Sequence, residues 1–425
     1  MPAIGGFLGL IAFDFIDIVW IEKLGNTAVA AVASAGFIIA SIYSLMQITS
    51  AGCSSLVAQF YGANSKSRCW HTVIQSTWCS LAFGICVTAL GVPLVNLPFA
   101  SMGLDAESSR IAAEYFKILL YGMPFIFLDM LFNSIFNAYG DNKVSTVIML
   151  FSLFINAVLD PIFMFGWCGV PRMEVQGAAW ATLTGHFISF LLRAYFLRKK
   201  NYIPPLRYFF NNNTCYIKEI LKIGIPNAAT SWVWSLVYPV LMRYITPFGT
   251  IHVSAIGICH RLEDFPYFFA QGFSVAMTAL VGFYVGKNEK NKIDIIVDGG
   301  ICMASMLVTP FVLLCLFFPA NLFSLVFVTD PVLIEAGASY IFIIGIFEIF
   351  MTFENVLTGV FTGLGKTFPV MCLTTPITIG RIPLAWYMAF KLNMGIEGVW
   401  WAISITTMLK GLGLMLLYKY YSKKF

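Results

Sequence analysis

Leu56-Val57-Ala58-Gln59-Phe60-Tyr61-Gly62-Ala63-Asn64 recurs 224 residues further on as Leu280-Val281-Gly282-Phe283-Tyr284-Val285-Gly286-Lys287-Asn288. The same offset pairs Pro2 with Pro226, Gly25 with Gly249, Val29 with Val253, Ala31 with Ala255 and Lys66 with Lys290, without a gap. A repeat of this length in an apolar chain points to a two-lobed membrane transporter. It also supplies an internal control. Where one half carries a charge and the matching position does not, shared architecture is a poor explanation of that charge.

The composition supports the membrane class. Of 425 residues, 59% are hydrophobic and only 11% charged, against about 25% charged in soluble domains. The net charge of +5 comes from few residues and identifies no partner. The ten cysteines are scattered, with no CxxC pair, so neither a metal site nor a disulfide framework is expected. The chain opens in an apolar stretch with no basic leader, and its first half lacks a counterpart of the 216–224 lead-in, so a short N-terminal segment is expected upstream.

Twelve apolar segments are long enough to span a bilayer, which takes about 20 helical residues. They run near 2–21, 27–60, 70–98, 111–139, 144–167, 175–197, 217–246, 251–285, 293–325, 332–361, 367–391 and 396–420. Their apolar runs are continuous rather than alternating, which favours helices over barrel strands. The expected fold is therefore an all-α polytopic membrane protein: two six-helix bundles, 1–197 and 217–425, joined by a polar linker at 198–216. Six segments per half give both halves the same topology, related by a pseudo-two-fold axis along the membrane normal. Lysines and arginines number about 16 on the even connections and the C-terminus against about 4 on the odd ones. Both termini and the linker are thus expected on the cytoplasmic side of the inner (plasma) membrane.

Several motifs carry little. Gly363-Leu-Gly-Lys-Thr367 lacks the upstream glycine and strand of a phosphate loop. Gly5/Gly9 and Gly359/Gly363 are expected to be close helix packing. The Asn212 sequon falls in the cytoplasmic linker. His71 is placed in a loop, and His186, His252 and His260 stand without a partner at metal-ligand spacing.

Ionisable residues inside membrane helices cost about 2.5–3.5 kcal/mol at the helix centre on insertion scales, so each calls for a reason. The first half has Asp14 and Asp17 on segment 1, Asp129 on segment 4, Asn156 and Asp160 on segment 5. At about 1.5 Å per residue, Asp17 lies about 22 Å and Asp160 about 25 Å above the cytoplasmic end, and Thr182 about 12 Å below the outer end. If segments 1, 5 and 6 are neighbours, two carboxylates, an amide and a hydroxyl converge. Such a set can bind a hard cation, or hold a proton, since two close carboxylates in low dielectric cannot both stay charged. The repeat pairs Asp17 with Leu241, Asn156 with Arg381 and Asp160 with Ala385, so the set is confined to one half. The second half has its own charges: Arg261, Glu263 and Asp264 on segment 8, Glu348 and Glu354 on segment 10, Arg381 on segment 11 and Lys410 on segment 12. Arg261 with Glu263 or Asp264, and Arg381 with Glu348 or Glu354, are the expected internal ion pairs. Of these, Arg261, Glu263, Glu354 and Arg381, together with Asp14, are the candidates for a second-lobe or cavity site.

These residues resemble the multidrug and toxic compound extrusion (MATE) family, with the branch named for DNA-damage-inducible protein F as one reading of it. The resemblance is carried by Asp17-Ile-Val-Trp-Ile-Glu-Lys-Leu-Gly25, Ala58-Gln-Phe-Tyr-Gly-Ala63, Asn156-Ala-Val-Leu-Asp160-Pro161, Gln176-Gly-Ala-Ala-Trp-Ala-Thr182, Lys222-Ile-Gly-Ile-Pro226 and Gln271-Gly-Phe-Ser-Val-Ala276. It implies two bundles around a central cavity and alternating access driven by an inward H⁺ or Na⁺ gradient. It further implies that Asp17, Asn156, Asp160 and Thr182 form the first-lobe cation site, with Ala178 in place of Thr182 under a shifted alignment. Segment 7 has no acidic residue beyond Glu219, so a second-lobe site there departs from one family pattern.

The expected function is antiport: export of an organic, cationic or amphipathic compound in exchange for H⁺ or Na⁺. The alternative is a lipid-linked saccharide flippase of the wider superfamily, for which Arg243, Arg261 and Arg381 are few. An enzyme lacks a catalytic constellation, and a channel lacks a selectivity ring. No cofactor or resident metal is expected beyond the coupling ion. The expected partners are a small organic substrate and membrane lipid, not nucleic acid, and the chain is expected to be a monomer.

Overall fold

A computed structural model describes residues 19–102, 104–205, 208, 216–325 and 330–423. Asp14, Asp17, the Gly5/Gly9 pair and the Asn212 sequon lie outside the described residues.

The described chain begins in helix at 19–22. It continues through α1 (Asn26–Gly62), α2 (Lys66–Gly91), α3 (Asn96–Ser101), α4 (Ala106–Ala138), α5 (Asn142–Phe165), α6 (Glu174–Lys199) and α7 (Ile217–Ile245). The second series is α8 (Thr250–Gly286), α9 (Lys290–Phe317), α10 (Pro319–Ser324), α11 (Pro331–Gly345), α12 (Glu348–Gly363), α13 (Thr367–Trp386) and α14 (Ile396–Ser422). No strand occurs among the described residues. In hydrocarbon each backbone N–H and C=O must be bonded within the protein, and a helix does this inside one segment.

Eight described helices are long and apolar enough to cross a membrane, or nine with the bent α11–α12 pair taken as one span. At 26 and 29 residues, α6 and α7 have the length to cross. Their apolar character is diluted, in α6 by Gln176, His186 and Arg193. With the segment that ends at 19–22, these helices accord with the twelve expected from sequence. The protein is an all-α polytopic membrane protein.

Three segments are less continuous than expected. Segment 70–98 stops at Gly91; Pro93 follows, which has no N–H to donate to the Ala89 carbonyl, and α3 is a separate short helix. Segment 293–325 stops at Phe317, and Pro319 opens α10 at a position where its missing N–H costs nothing. Segment 332–361 is bent by 51° between α11 and α12. There Phe347 N–H turns back to the Ile344 carbonyl at 2.8 Å. His71, expected in a loop, lies on α2.

The repeat extends to backbone conformation. Gly25 and Gly249 both have positive φ, 100° and 112°, and Asn64 and Asn288 both take the left-handed conformation at 54° and 59°. These residues end or begin corresponding helices, and glycine and asparagine tolerate that region best.

The chain forms two compact units, Met1–Tyr61 with Ser65–Gly224, and Gly62–Asn64 with Ile225–Phe425. In the first, α6 packs against both α4 and α5, and α4 also packs against α2. In the second, α14 packs against α12 and α13, and α12 also packs against α8. The Gly359/Gly363 motif serves this last contact. A Cβ at Gly359 would lie 2.2 Å from the Ser274 carbonyl oxygen, and one at Gly363 would lie 2.7 Å from that of Thr278. The motif is close helix packing, as expected.

Candidate functional site

Helix α5 is amphipathic in the sense a bilayer requires. Its exposed residues include Val147, Leu150, Phe151, Phe154 and Val158, and its buried face carries Ser145, Asn156 and Asp160. Apolar side chains can face lipid, whereas polar ones need partners from neighbouring helices. Asn156 is 3% and Asp160 1% exposed, one turn apart on that inner face.

The partner face belongs to α6, and its small residues let the helices approach. A Cβ at Gly177 would lie 2.6 Å from the Phe163 carbonyl carbon and 2.7 Å from Met164 N. One turn or more along, Ser152 Oγ donates to the Gly185 carbonyl at 2.7 Å. Asn156 Nδ2 donates to Thr182 Oγ1 at 3.5 Å, and Thr182 donates to the Ala178 carbonyl at 3.0 Å. Thr182 therefore supplies the side chain facing Asn156, and Ala178 supplies a backbone acceptor. Asn156 Oδ1 is buried and has no hydrogen-bond partner among the described residues. Pro161 has no N–H, so the Ala157 carbonyl loses its helical donor. Asp160, Asn156 Oδ1, Thr182 Oγ1 and that carbonyl are all oxygens, the ligand type a hard cation takes. Among the described residues no group of three or more His, Cys, Asp or Glu side chains has the arrangement of a metal site.

Asp129 on α4 belongs to a different arrangement. Arg193 Nη1 is bonded to Asp129 Oδ1 and also reaches the Asp129 carbonyl at 3.3 Å. His186 Nδ1 lies 3.0 Å from Asp129 Oδ2. His186, partnerless in the sequence reading, thus shares a buried carboxylate with Arg193. Both bases lie on α6, seven residues apart and so on one face. Helix α6 is held on one side by this ion pair and on the other by its glycine contacts with α5.

The second unit repeats the frame and changes the chemistry. A Cβ at Gly398 would lie 2.7 Å from the Met388 carbonyl carbon and from Ala389 N. Met388 and Ala389 follow Phe163 and Met164 by 225 residues, so Gly398 on α14 is the packing counterpart of Gly177 on α6. In this register Asp129 matches Glu354, and Glu354 Oε1 pairs with Lys410 Nζ on α14 at 2.7 Å. Arg381 matches Asn156. Its Nε donates to Thr406 Oγ1 at 2.8 Å and its Nη2 to Thr407 Oγ1 at 3.2 Å. The ion pair expected between Arg381 and Glu348 or Glu354 is not formed, because the two threonines hold the guanidinium and Lys410 engages Glu354. Glu348 is 4% exposed, and its Oε2 has no hydrogen-bond partner among the described residues. Glu263 Oε2 lies 3.8 Å from His260 Nε2, and that ring is also hydrogen-bonded to the Tyr238 hydroxyl. Arg261 is exposed on α8, and Asp264 is half-buried.

Sequence reading missed Arg193 as the partner of Asp129. The signal was present, since an acid recurs at 129 and 354 and each half has a base on its sixth segment.

The MatE family model matches residues 2–162 and 226–387, once in each half. A protein of Thermotoga maritima called probable multidrug resistance protein NorM is 27% identical over 405 residues, 94% of this chain and 86% of its own. The multidrug export protein MepA of Staphylococcus aureus is 23% identical over 98% of this chain and 91% of its own. Among solved structures, a MATE protein in the bent conformation superposes with a TM-score of 0.92 at 24% identity, over 100% of this chain and 94% of that one. An outward-facing multidrug resistance MATE family transporter gives 0.91, also at 24% identity and with the same coverage. These likenesses follow the two-unit helical frame described above, and the paired family match falls on its internal repeat. The chain belongs to the MatE family, the multidrug and toxic compound extrusion transporters.

Proposed function

We propose that the protein is a secondary active antiporter that exports organic, cationic or amphipathic compounds in exchange for H⁺ or Na⁺ by alternating access. The NorM and MepA relatives are named for multidrug resistance and multidrug export, which supports efflux as the activity. The coupling ion is read at Asp17, Asn156, Asp160 and Thr182 in the first of two six-helix lobes, 1–197 and 217–425. The observation that carries this reading is the buried Asn156/Asp160 face of α5 against Thr182, with Arg381 and Ala385 at the matching positions. A structural polar set would recur in both units, as the Asp129 and Glu354 ion pairs do. This one does not recur.

An ion can move the protein only through unequal affinity for two conformations. In this reading the ion, bound to oxygens of α5 and α6, favours one arrangement of these helices, and substrate leaves from the other. The lysine and arginine asymmetry supports an inner-membrane orientation with both termini cytoplasmic. Asp17→Asn and Asp160→Asn, reconstituted in liposomes, should each abolish gradient-driven export while the protein still reaches the membrane folded. Full export by both variants would sink the assignment. Sodium and pH gradients imposed separately identify the ion.

A further inference from the structure

The fourth spanning segment of each half begins with the same cap. Asp105 accepts from Ser108 N–H at the start of α4, and Asp330 accepts from Val332 N–H at the start of α11, both at 3.0 Å. Gly177 and Gly398 fix α6 and α14 in the corresponding way. The starts of α4 and α6 can therefore be compared with those of α11 and α14 residue by residue.

In the first unit, Arg110, Glu114 and Lys117 lie along one face of α4. Arg110 Nη1 pairs with Glu114 Oε1 at 2.8 Å, and Gln176 Nε2 on α6 donates to Glu114 Oε2, also at 2.8 Å. In the second unit the four positions hold Glu335, Ser339, Phe342 and Glu397. The hydrogen bond between the helices is kept with its direction reversed, Ser339 Oγ donating to Glu397 Oε1 at 3.3 Å. The bases are not kept. Two bases and one acid have become two acids and no base. Among the described residues, neither Glu335 nor Glu397 has a Lys, Arg or His nitrogen within 4.0 Å.

A cavity of about 790 Å³ opens at this place, lined by Glu335, Ser339, Phe342, Glu397 and Trp401 together with apolar residues of α10 and α11. Small-molecule sites have about 300–1,000 Å³ and mostly apolar walls with a few polar groups. An acid in the first turn of a helix complements the helix dipole, which accounts for Glu397 but not for the loss of every base beside a cavity. Three kinds of ligand would meet this lining differently. A divalent metal takes about six or more oxygens, and this wall is mostly carbon. A phospholipid brings a phosphate, which would face two carboxylates and no base. An organic cation finds the carboxylates near the helix starts and the Phe342 and Trp401 rings one to two turns further along, where a cation and an apolar body are both favoured.

We propose that this cavity binds an amphipathic organic cation, its charge held by Glu335 and Glu397 and its apolar part by Phe342 and Trp401. In the orientation proposed above, the cavity lies at the outer end of the second unit. Its ligand shares the chemistry of the proposed substrates, but the site is separate from the first-unit ion site, and equilibrium binding tests it without transport.

Ethidium monoazide, a photoreactive aromatic monocation, photolysed on the full chain in nanodiscs of phosphatidylcholine and phosphatidylglycerol, should place label within 331–343 or 396–401, as read by peptide mass spectrometry. Glu335→Gln with Glu397→Gln should lower that label about tenfold, since each exposed ion pair carries up to about fivefold. Both residues are exposed, so the double variant should unfold at the parent's temperature. Glu335→Arg, which restores the base of the first unit, should abolish the label. Arg110→Gln with Glu114→Gln, the parallel change in the first unit, should leave it as in the parent. Absence of label from both segments, or label that the double variant retains, overturns the proposal. So does displacement by micromolar calcium, which would assign a metal, or by phosphatidylethanolamine added to the nanodisc, which would assign a lipid. Loss of gradient-driven export with this labelling pattern intact would refute the antiport reading and leave the site standing.

Discussion

Asp129 and Glu354 stand at matching positions in the two units, and each is paired with a base on the helix it faces, Arg193 on α6 and Lys410 on α14. The bases themselves do not match in register. Arg193 aligns with Leu414, and Lys410 with Ser189. Each unit therefore keeps the acid and reaches it from a different turn of the facing helix. What recurs is a buried neutral pair between the fourth and sixth spanning segments, which makes it part of the frame.

Breaking one of these pairs should be costly. With side chains 3% and 4% exposed, Asp129 and Arg193 leave a buried charge when either partner is removed. Asp129→Asn or Arg193→Met should destabilise by about 3–5 kcal/mol, and the double variant should recover a large part of that loss. Thermal unfolding in detergent, read as a double-mutant cycle, measures it. A double variant as unstable as the sum of the singles would contradict the pairing.

Glu354→Gln separates frame from coupling. It should lower stability, yet the transport that remains should keep the parent's dependence on the coupling ion. Asp160→Asn should do the reverse, sparing the fold and removing the ion response. Transport measured against ion concentration, alongside unfolding temperature, compares the two. An altered ion dependence in Glu354→Gln would move Glu354 into the coupling site.

The glycines of α6 should divide by their surroundings. At Gly177 an added Cβ meets backbone at 2.6 Å, which only helix separation can relieve. Gly177→Ala and Gly398→Ala should each cost about 1–3 kcal/mol. At Gly185 the nearest atoms are Ser152 Oγ at 3.3 Å and Asn156 Cβ at 3.4 Å, so a small shift suffices. Gly185→Ala should unfold close to the parent. Equal losses at Gly177 and Gly185 would show that the close approach is not what the glycine serves.

Asn156 and Thr182 should contribute unequally. Their hydrogen bond is long, 3.5 Å, and interhelical bonds in membranes average about 0.6 kcal/mol. Neither Asn156→Ala nor Thr182→Val should change stability by much more than that. Asn156→Ala also removes a buried oxygen that has no other partner among the described residues, so it should weaken ion dependence more than Thr182→Val. Ion titrations of transport rank the two, and the opposite order would assign the ligand role to Thr182.

Much of this protein was legible in the chain itself. Lipid admits only apolar exteriors and self-satisfied backbones, so twelve long apolar segments determined a helical membrane protein, and the internal repeat determined two like halves. Depth along a helix is linear in residue number, which is why Asp17, Asp160 and Thr182 could be assigned to a similar level. Tertiary structure decided which faces meet. Helix rotation is set by contacts such as Gly177 with Phe163 and Met164, between segments whose rotation about their own axes the sequence does not record. His186 therefore read as isolated although it meets Asp129, 57 residues away. Arg381 read as the partner of a glutamate although two threonines on α14 hold it. A charge in a membrane helix announces that it has a partner. Only packing, which sets the rotation of each helix against its neighbours, decides which partner that is.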